Sequence, residues 1–276
     1  MTKIGGERRV SYLGPEGTFC EQAARKHFLE AIFVPYSSIN EVFSAVERGD
    51  TEYGVVPVEN STDGSITITL DCLLTSRVVI CGEVELKITH NLISKPNTCK
   101  SEIELIISHP QALAQCREFI KRNFPEAELR ESSSTAKAVE LLKNFDNSAA
   151  IGTEAAAKRS RGVILRRNIE DEVNNVTRFF VIGKKEVGPS GKDKTSLVFS
   201  TKHIPGSLYR VLEVFAIRNI NLTKIESRPE KRRRWSYVFY VDIEGHKIDP
   251  IVREALDSMK KRCIHVKVLG SYPKAC

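Results

Sequence analysis

The chain falls into two stretches with different hydrophobic rhythms. From Arg8 to Gly183, apolar runs of strand length alternate with segments whose apolar residues recur every three or four positions. "RRVSYL" (8–13), "AIFVPY" (31–36), "YGVVPV" (53–58), "ELIISH" (104–109), "SAAIG" (148–152) and "RFFVIG" (178–183) have the length and composition of buried strands. Between them, Glu21–Leu29 reads as a helix. Ile39, Val42, Phe43 and Val46 mark one face of another, which Gly49 closes. Pro110 suits the first turn of a third helix. "SSSTAKAVELL" (132–142) opens on capping residues, and an Ala-rich helix follows "SAAIG". This alternation predicts α/β layers with largely parallel strands.

Beyond Lys194 the order changes. "TSLVFST" predicts a strand, Gly206–Arg218 a helix carrying Leu208, Val211, Leu212 and Phe215, and "INLTKIESRP" and "WSYVFYVDIEG" two more strands. Val252, Ala255, Leu256 and Met259 mark a second helix before a last strand, "HVKVLGSY". The sum is βαββαβ, a ferredoxin-like domain. "KKEVGPSGKDK" (184–194) offers glycine, proline and charge with little to bury, so it reads as a linker. The expected organisation is a first region over 1–184, a linker over 185–193 and a small domain over 194–276.

Composition narrows the compartment. Of 276 residues, 41% are apolar and 28% charged, as in an ordinary globular protein. No apolar run approaches the ~20 residues that span a bilayer, so no membrane is expected. The start, "MTKIGGERRV", has no apolar signal core and predicts no export. The seven cysteines form neither C-x-x-C nor a zinc spacing, which fits a reducing cytoplasm. Asn175-Val176-Thr177 and Asn60-Ser61-Thr62 are then not glycosylation sites. The net charge of +7 and the run Lys231–Arg234 before Trp235 suit a charged hairpin tip, so no nucleic acid is expected.

The candidate chemistry sits in four loops. "GPEGTF" (14–19) places two glycines before a helix, where N–H groups can meet an anion, although plain turn chemistry explains them equally. "PVENSTDGS" (57–65) sets Glu59, Asn60, Ser61 and Thr62 just beyond a strand, where open α/β sheets bind ligands. In "SHPQALAQC" (108–116), Ser108 and His109 end a strand and Gln115 lies in the next helix. Ser108 serves a helix cap equally well, and a lone histidine there is more often structural than a proton carrier. "NNVTRFFVIG" enters a core strand through Thr177 and Arg178, either as a polar strand mouth or as the wall of a site. No Ser-His-Asp set, paired carboxylates, metal cluster or nucleotide loop is present. The pattern describes a donor-rich pocket for a small anion, with neither metal nor cofactor.

In their order, "GPEGTF", "PVENS", "TLD", "SHPQALAQC", "SSSTA", "AAIG" and "NVTRF" resemble the prephenate dehydratases. "PGSL" and "INLTKIESRP" resemble their phenylalanine-sensing ACT domain, and the likeness runs over about residues 8–273. Cys20, Asp63 and Ser207 depart from the usual Ser, Glu and Ala. The resemblance implies an α/β fold with a two-lobed, periplasmic-binding-protein-like catalytic region and a ferredoxin-like βαββαβ ACT domain. The chain would cross between lobes near "THNLIS" and "IEDEVNN", with the site in the cleft. It implies a carbon–oxygen lyase that turns prephenate into phenylpyruvate, carbon dioxide and water without a cofactor. Thr177 would then be catalytic, and Asn60, Ser61, Ser108, Gln115, Arg178 and Phe179 would bind substrate, with Glu131 supporting from behind. Phenylalanine would sit at Gly206, Ser207, Leu208, Asn221, Leu222, Glu226 and Ser227, in a homodimer or homotetramer. Two other readings stay open: an arogenate dehydratase, and a small-anion receptor of the same architecture without turnover.

Overall fold

The computed structural model describes residues 8–229 and 237–275; the basic run Lys231–Arg234 and Trp235 lie outside the described residues. The chain divides into two compact units. One holds the residues up to Val42 with Val55–Ser65 and Glu85–Phe179, the other Phe43–Gly54, Ile66–Val84 and everything from Phe180 onward.

A six-stranded sheet runs in the spatial order Ile32–Tyr36, Arg9–Leu13, Tyr53–Asn60, Val176–Gly183 and Val79–Lys87, with Gly64–Ser65 folded back on Tyr53–Asn60. Arg9–Leu13 and Ile32–Tyr36 pair in parallel, as a strand–helix–strand unit requires. The helix between them is Phe19–His27, two residues earlier than the apolar pattern predicts, because Thr18 caps it through Glu21 N.

The first unit contains a five-stranded sheet, in the order Val163–Arg166, Asn91–Ser94, Ser148–Gly152, Leu105–Ser108 and Glu128–Glu131. Neighbouring residues of a strand point to opposite faces. Leu92, Ile106, Ala149 and Ile151 therefore join Leu113, Cys116 and Ile120 in one core. Ile93, Ile107 and Ala150 join Val139, Ala156 and Ala157 in the other. Burial on both faces is why these strands read as unbroken apolar runs. The expectation of largely parallel strands needs correction here. Leu105–Ser108 is parallel to both neighbours, but Asn91–Ser94 is antiparallel to both of its own. It enters from another strand without an intervening helix, so no crossover imposes parallel pairing.

The second unit contains the βαββαβ domain. Its strands lie in the order Leu222–Pro229, Tyr237–Glu244, Asp193–Ser200 and His265–Pro273, all antiparallel. Helices Ser207–Ala216 and Pro250–Lys260 cover one face, where Leu197, Phe199, Val211, Phe215, Leu256 and Met259 pack. The other face carries a buried polar cluster in which the Ser196 hydroxyl meets Asp242 and the Tyr272 hydroxyl, each at 2.5 Å.

The same unit contains a helix that the apolar pattern does not disclose, Thr67–Thr75. Its threonines favour strands, and its apolar residues form no single stripe. Tertiary contacts hold it instead. The Tyr240 hydroxyl donates to Leu70 O at 3.0 Å, and Lys267 Nζ caps the C-terminus through the carbonyls of Leu73 (2.7 Å), Leu74 (3.2 Å) and Ser76 (2.7 Å). Close by, the backbone of Ile80 comes so near Gly270 that an added Cβ would lie 2.2 Å from Ile80 O, so only glycine fits.

Cys20, Cys81 and Cys116 are buried and behave as small core residues, whereas Cys99 is exposed. Burial pushes the thiol of Cys20 up to about 12 and that of Cys81 up to about 11, which keeps both protonated.

Candidate active site

Tyr53–Asn60 and Val176–Gly183 are neighbouring strands, and their adjoining ends set Asn60 beside Thr177 and Glu59 beside Arg178. Alternation along each strand sends these two pairs to opposite faces of the sheet. Asn60 Nδ2 donates to Thr177 Oγ1 at 2.8 Å and to Asn175 Oδ1 at 2.7 Å. Its Oδ1 accepts from Thr62 N (3.0 Å) and Asp63 N (3.1 Å), so backbone donors fix which way the amide points. The amide of Asn60 is therefore fully committed. Thr177 Oγ1 acts as acceptor in this pair, which leaves its own proton to be donated elsewhere. Ser61 closes the arrangement: its Oγ accepts from Val176 N at 2.9 Å and donates to Asn174 O at 3.2 Å.

On the opposite face, Arg178 Nη1 lies 3.3 Å from Glu59 Oε2, and the guanidinium is buried. Part of the Arg178 charge is thus answered within the protein.

The two segments that lead into and out of the five-stranded sheet lie side by side, where the resemblance implies the crossings. Ile88 N donates to Asn175 O at 2.8 Å, His90 N to Glu170 Oε2 at 2.8 Å, and Ile169 N to His90 O at 2.9 Å. Gln111 Nε2 and Gln115 Nε2 both donate to Asp63 Oδ2, the second at 2.7 Å. Gln115 Oε1 in turn meets His90 Nε2 at 2.9 Å. The turn after Asn60 and the helix Pro110–Gln115 therefore share one hydrogen-bonded network.

Four of the residues expected at the site, Asn60, Ser61, Gln115 and Thr177, come together in this network. Others do not. Phe179 is only 1% exposed and packs in the core, outside this network. Ser108 has no exposed surface, and its hydroxyl donates to Ile151 O at 2.8 Å, so it neither caps the helix nor faces a ligand. The cap is His109, whose Nδ1 accepts from Gln111 N at 3.3 Å. Glu131, in register with Ser108, is exposed, and its charge raises the His109 pKa against the larger lowering by burial. The "GPEGTF" loop is no anion site either. Glu21 places its own carboxylate on Gly17 N, two residues before the first helical residue, so an anion there would meet that negative charge. The loop is tied instead to the start of helix Glu154–Arg159, with Thr153 Oγ1 donating to Gly17 O at 2.6 Å.

Sequence reasoning missed Asn175, Asp63 and His90 as parts of the network. Asn175 stood in view only as half of a glycosylation pattern, and Asp63 only as a departure from the family. His90 is 2% exposed. Burial lowers its pKa from the usual 6.5, while the Gln115 bond and the Glu170 charge act the other way. The sign follows directly. The unfolded chain takes up the proton first, so stability should decline as pH falls below about 6.5, until the folded ring titrates. Urea midpoints between pH 5 and 7 should fall more steeply for the native chain than for His90→Phe; equal slopes would count against a neutral buried ring.

In the βαββαβ domain, residues 201–209 with Tyr237 and Phe239 line a cavity of about 480 Å³. Gly206, Ser207 and Leu208 are among them; Asn221, Leu222, Glu226 and Ser227 are not. Gly206 caps the helix in left-handed backbone, with φ 76°. Ser207 Oγ stitches the loop by donating to the carbonyls of Lys202 and Ile204.

Among the described residues, no group of three or more His, Cys, Asp or Glu side chains could hold a metal ion. No described helix is long and apolar enough to cross a membrane.

Comparison with known proteins adds a second line. The family model described as prephenate dehydratase matches residues 10–187, and that described as ACT domain matches 195–260. A bifunctional chorismate mutase/prephenate dehydratase from Aquifex aeolicus is 47% identical over 97% of this chain and 74% of its own length. A prephenate dehydratase from Methanocaldococcus jannaschii is 43% identical over 96% of this chain and 98% of its own. Among solved structures, a prephenate dehydratase from Arthrobacter aurescens in complex with L-Phe superposes with a TM-score of 0.90. It is 33% identical and covers 97% of this chain and 90% of its own.

Proposed function

The chain belongs to the prephenate dehydratase family, so it is a hydro-lyase with an ACT domain, and we propose that it converts prephenate to phenylpyruvate at Thr177. The observation that carries this is the bond from Asn60 Nδ2 to Thr177 Oγ1. The electron pair of the ring–carboxylate bond moves into the ring as carbon dioxide departs, and the ring C–O bond breaks as the ring becomes aromatic. Negative charge grows on the departing oxygen. A threonine hydroxyl is a poor acid, but one held as an acceptor by Asn60 has its proton free to stabilise that oxygen.

Arg178 is better kept from the departing carboxylate, because pairing there would stabilise the ground state. Its partnership with Glu59 fits a role in shaping the pocket or holding the retained pyruvyl carboxylate. Asn60 and Ser61 act through Thr177 and the segment before it, while Gln115 supplies an amide N–H to the substrate. The discriminating experiment offers purified protein prephenate and arogenate separately. Phenylpyruvate from prephenate supports the reading; phenylalanine from arogenate alone would make it an arogenate dehydratase, and neither product would leave a receptor.

Phenylalanine would act at the 480 Å³ cavity, its carboxylate at the helix start after Gly206. Asn221, Leu222, Glu226 and Ser227 would complete the pocket from a second copy of the chain. Gly206→Ala puts a Cβ on left-handed backbone, at a cost of about 1–2 kcal/mol. The loop should relax out of that conformation and misplace the helix start, so the phenylalanine concentration for half-maximal response should rise, with basal turnover unchanged. An unshifted response would place the effector elsewhere.

A further inference from the structure

We propose that His90 is a positioning residue for Gln115, holding that amide in the one orientation that offers N–H to the pocket. The inference rests on Gln115 contacting the substrate. It starts from Asp63. A carboxylate on the Gln115 amide can only accept, so the amide nitrogen must face Asp63 and its oxygen must face His90. An amide oxygen also only accepts, so His90 Nε2 must carry the proton.

The chain Asp63–Gln115–His90 thus fixes a single tautomer, with a bare lone pair on Nδ1. That atom is buried and has no hydrogen-bond partner among the described residues. A ring kept only for packing has no reason to leave a buried acceptor unpaired, and a buried phenyl ring would avoid it. The orphan is accounted for if the ring is there to place one donor against Gln115. Phe19 meets the imidazole edge-on, with centroids 5.7 Å apart, which limits its rotation. The charged group facing this residue, Glu170, accepts from its backbone N–H and not from the ring, so side-chain substitution leaves the crossing in place. Burial of the ring favours the neutral form, in agreement with this tautomer.

Three substitutions of His90 separate placement from packing. His90→Gln carries an N–H at the reach of Nε2, His90→Asn stops short at the level of Nδ1, and His90→Phe keeps the ring without a donor. An amide binding substrate and transition state alike affects KM. His90→Phe and His90→Asn should therefore raise KM for prephenate about 10-fold, with kcat within about 3-fold, and His90→Gln should restore KM to within about 3-fold. Gln115→Ala should add little in the His90→Phe background. Nitrogen NMR of the labelled full chain at neutral pH should show a protonated Nε2 and a bare Nδ1. The opposite tautomer, an imidazolium, or a His90→Gln variant no better than Phe would overturn the assignment. Absence of turnover with both prephenate and arogenate would instead remove the reading of the pocket itself, whatever tautomer the ring displays.

Discussion

Thr177→Ala should lower kcat by about 10²–10³ while KM moves far less, because the lost bond strengthens only as charge builds on the departing oxygen. Thr177→Ser keeps the hydroxyl in reach of Asn60 and should retain much of the rate. Steady-state kinetics on the two variants decide between chemistry and packing. If both were impaired equally, the threonine methyl would be the group that matters, since the side chain is 7% exposed and well packed.

The second large effect is expected from a nearly isosteric change, Asn60→Asp. Asn60 Nδ2 now supplies the hydrogen that Thr177 Oγ1 accepts. An aspartate cannot donate, so the Thr177 proton would turn toward it and away from the substrate. It would also set an anion against Asn175 Oδ1, which accepts at 2.7 Å in the native chain. We expect kcat to fall about 10²-fold and stability to fall by about 1–3 kcal/mol, the cost of unpaired buried groups. The double variant Asn60→Asp/Thr177→Ala should be little slower than Thr177→Ala alone, because one acts through the other. Additive losses in kcat would give Asn60 an independent contact with the substrate. Denaturant melts read the stability part separately.

The local features of this fold were legible because they depend on near neighbours. Ile39, Val42, Phe43 and Val46 announced their helix, Ile39–Arg48, at the predicted place. The order of elements in the βαββαβ domain followed from alternation alone, and "PVENS" and "NVTRF" pointed to strand ends that do meet. What stayed hidden is set by distant partners. Asn60 and Asn175 lie 115 positions apart, and no periodicity links them. Phe179 and Ser108 look like site residues by their company, yet both are buried, and the Ser108 hydroxyl is bonded to Ile151 O. In "GPEGTF" two glycines suggested an anion site, but Glu21, four residues beyond Gly17, places its own carboxylate on Gly17 N. Helix Thr67–Thr75 is the clearest case, since tertiary contacts override strand-favouring threonines.

The cap on that helix has a consequence for the order in which the protein can be made. Lys267 and Leu73 are 194 positions apart. A ribosome adding about 5–20 residues per second needs roughly ten to forty seconds to pass from one to the other. Throughout that interval the carbonyls of Leu73, Leu74 and Ser76 lack their lysine, and Ile80 waits for the backbone of Gly270. Strand His265–Pro273 therefore completes an element synthesised well before it. A nascent chain that stalls or ends early is left with an open helix end and an uncovered strand, a mark that a chaperone or protease can recognise.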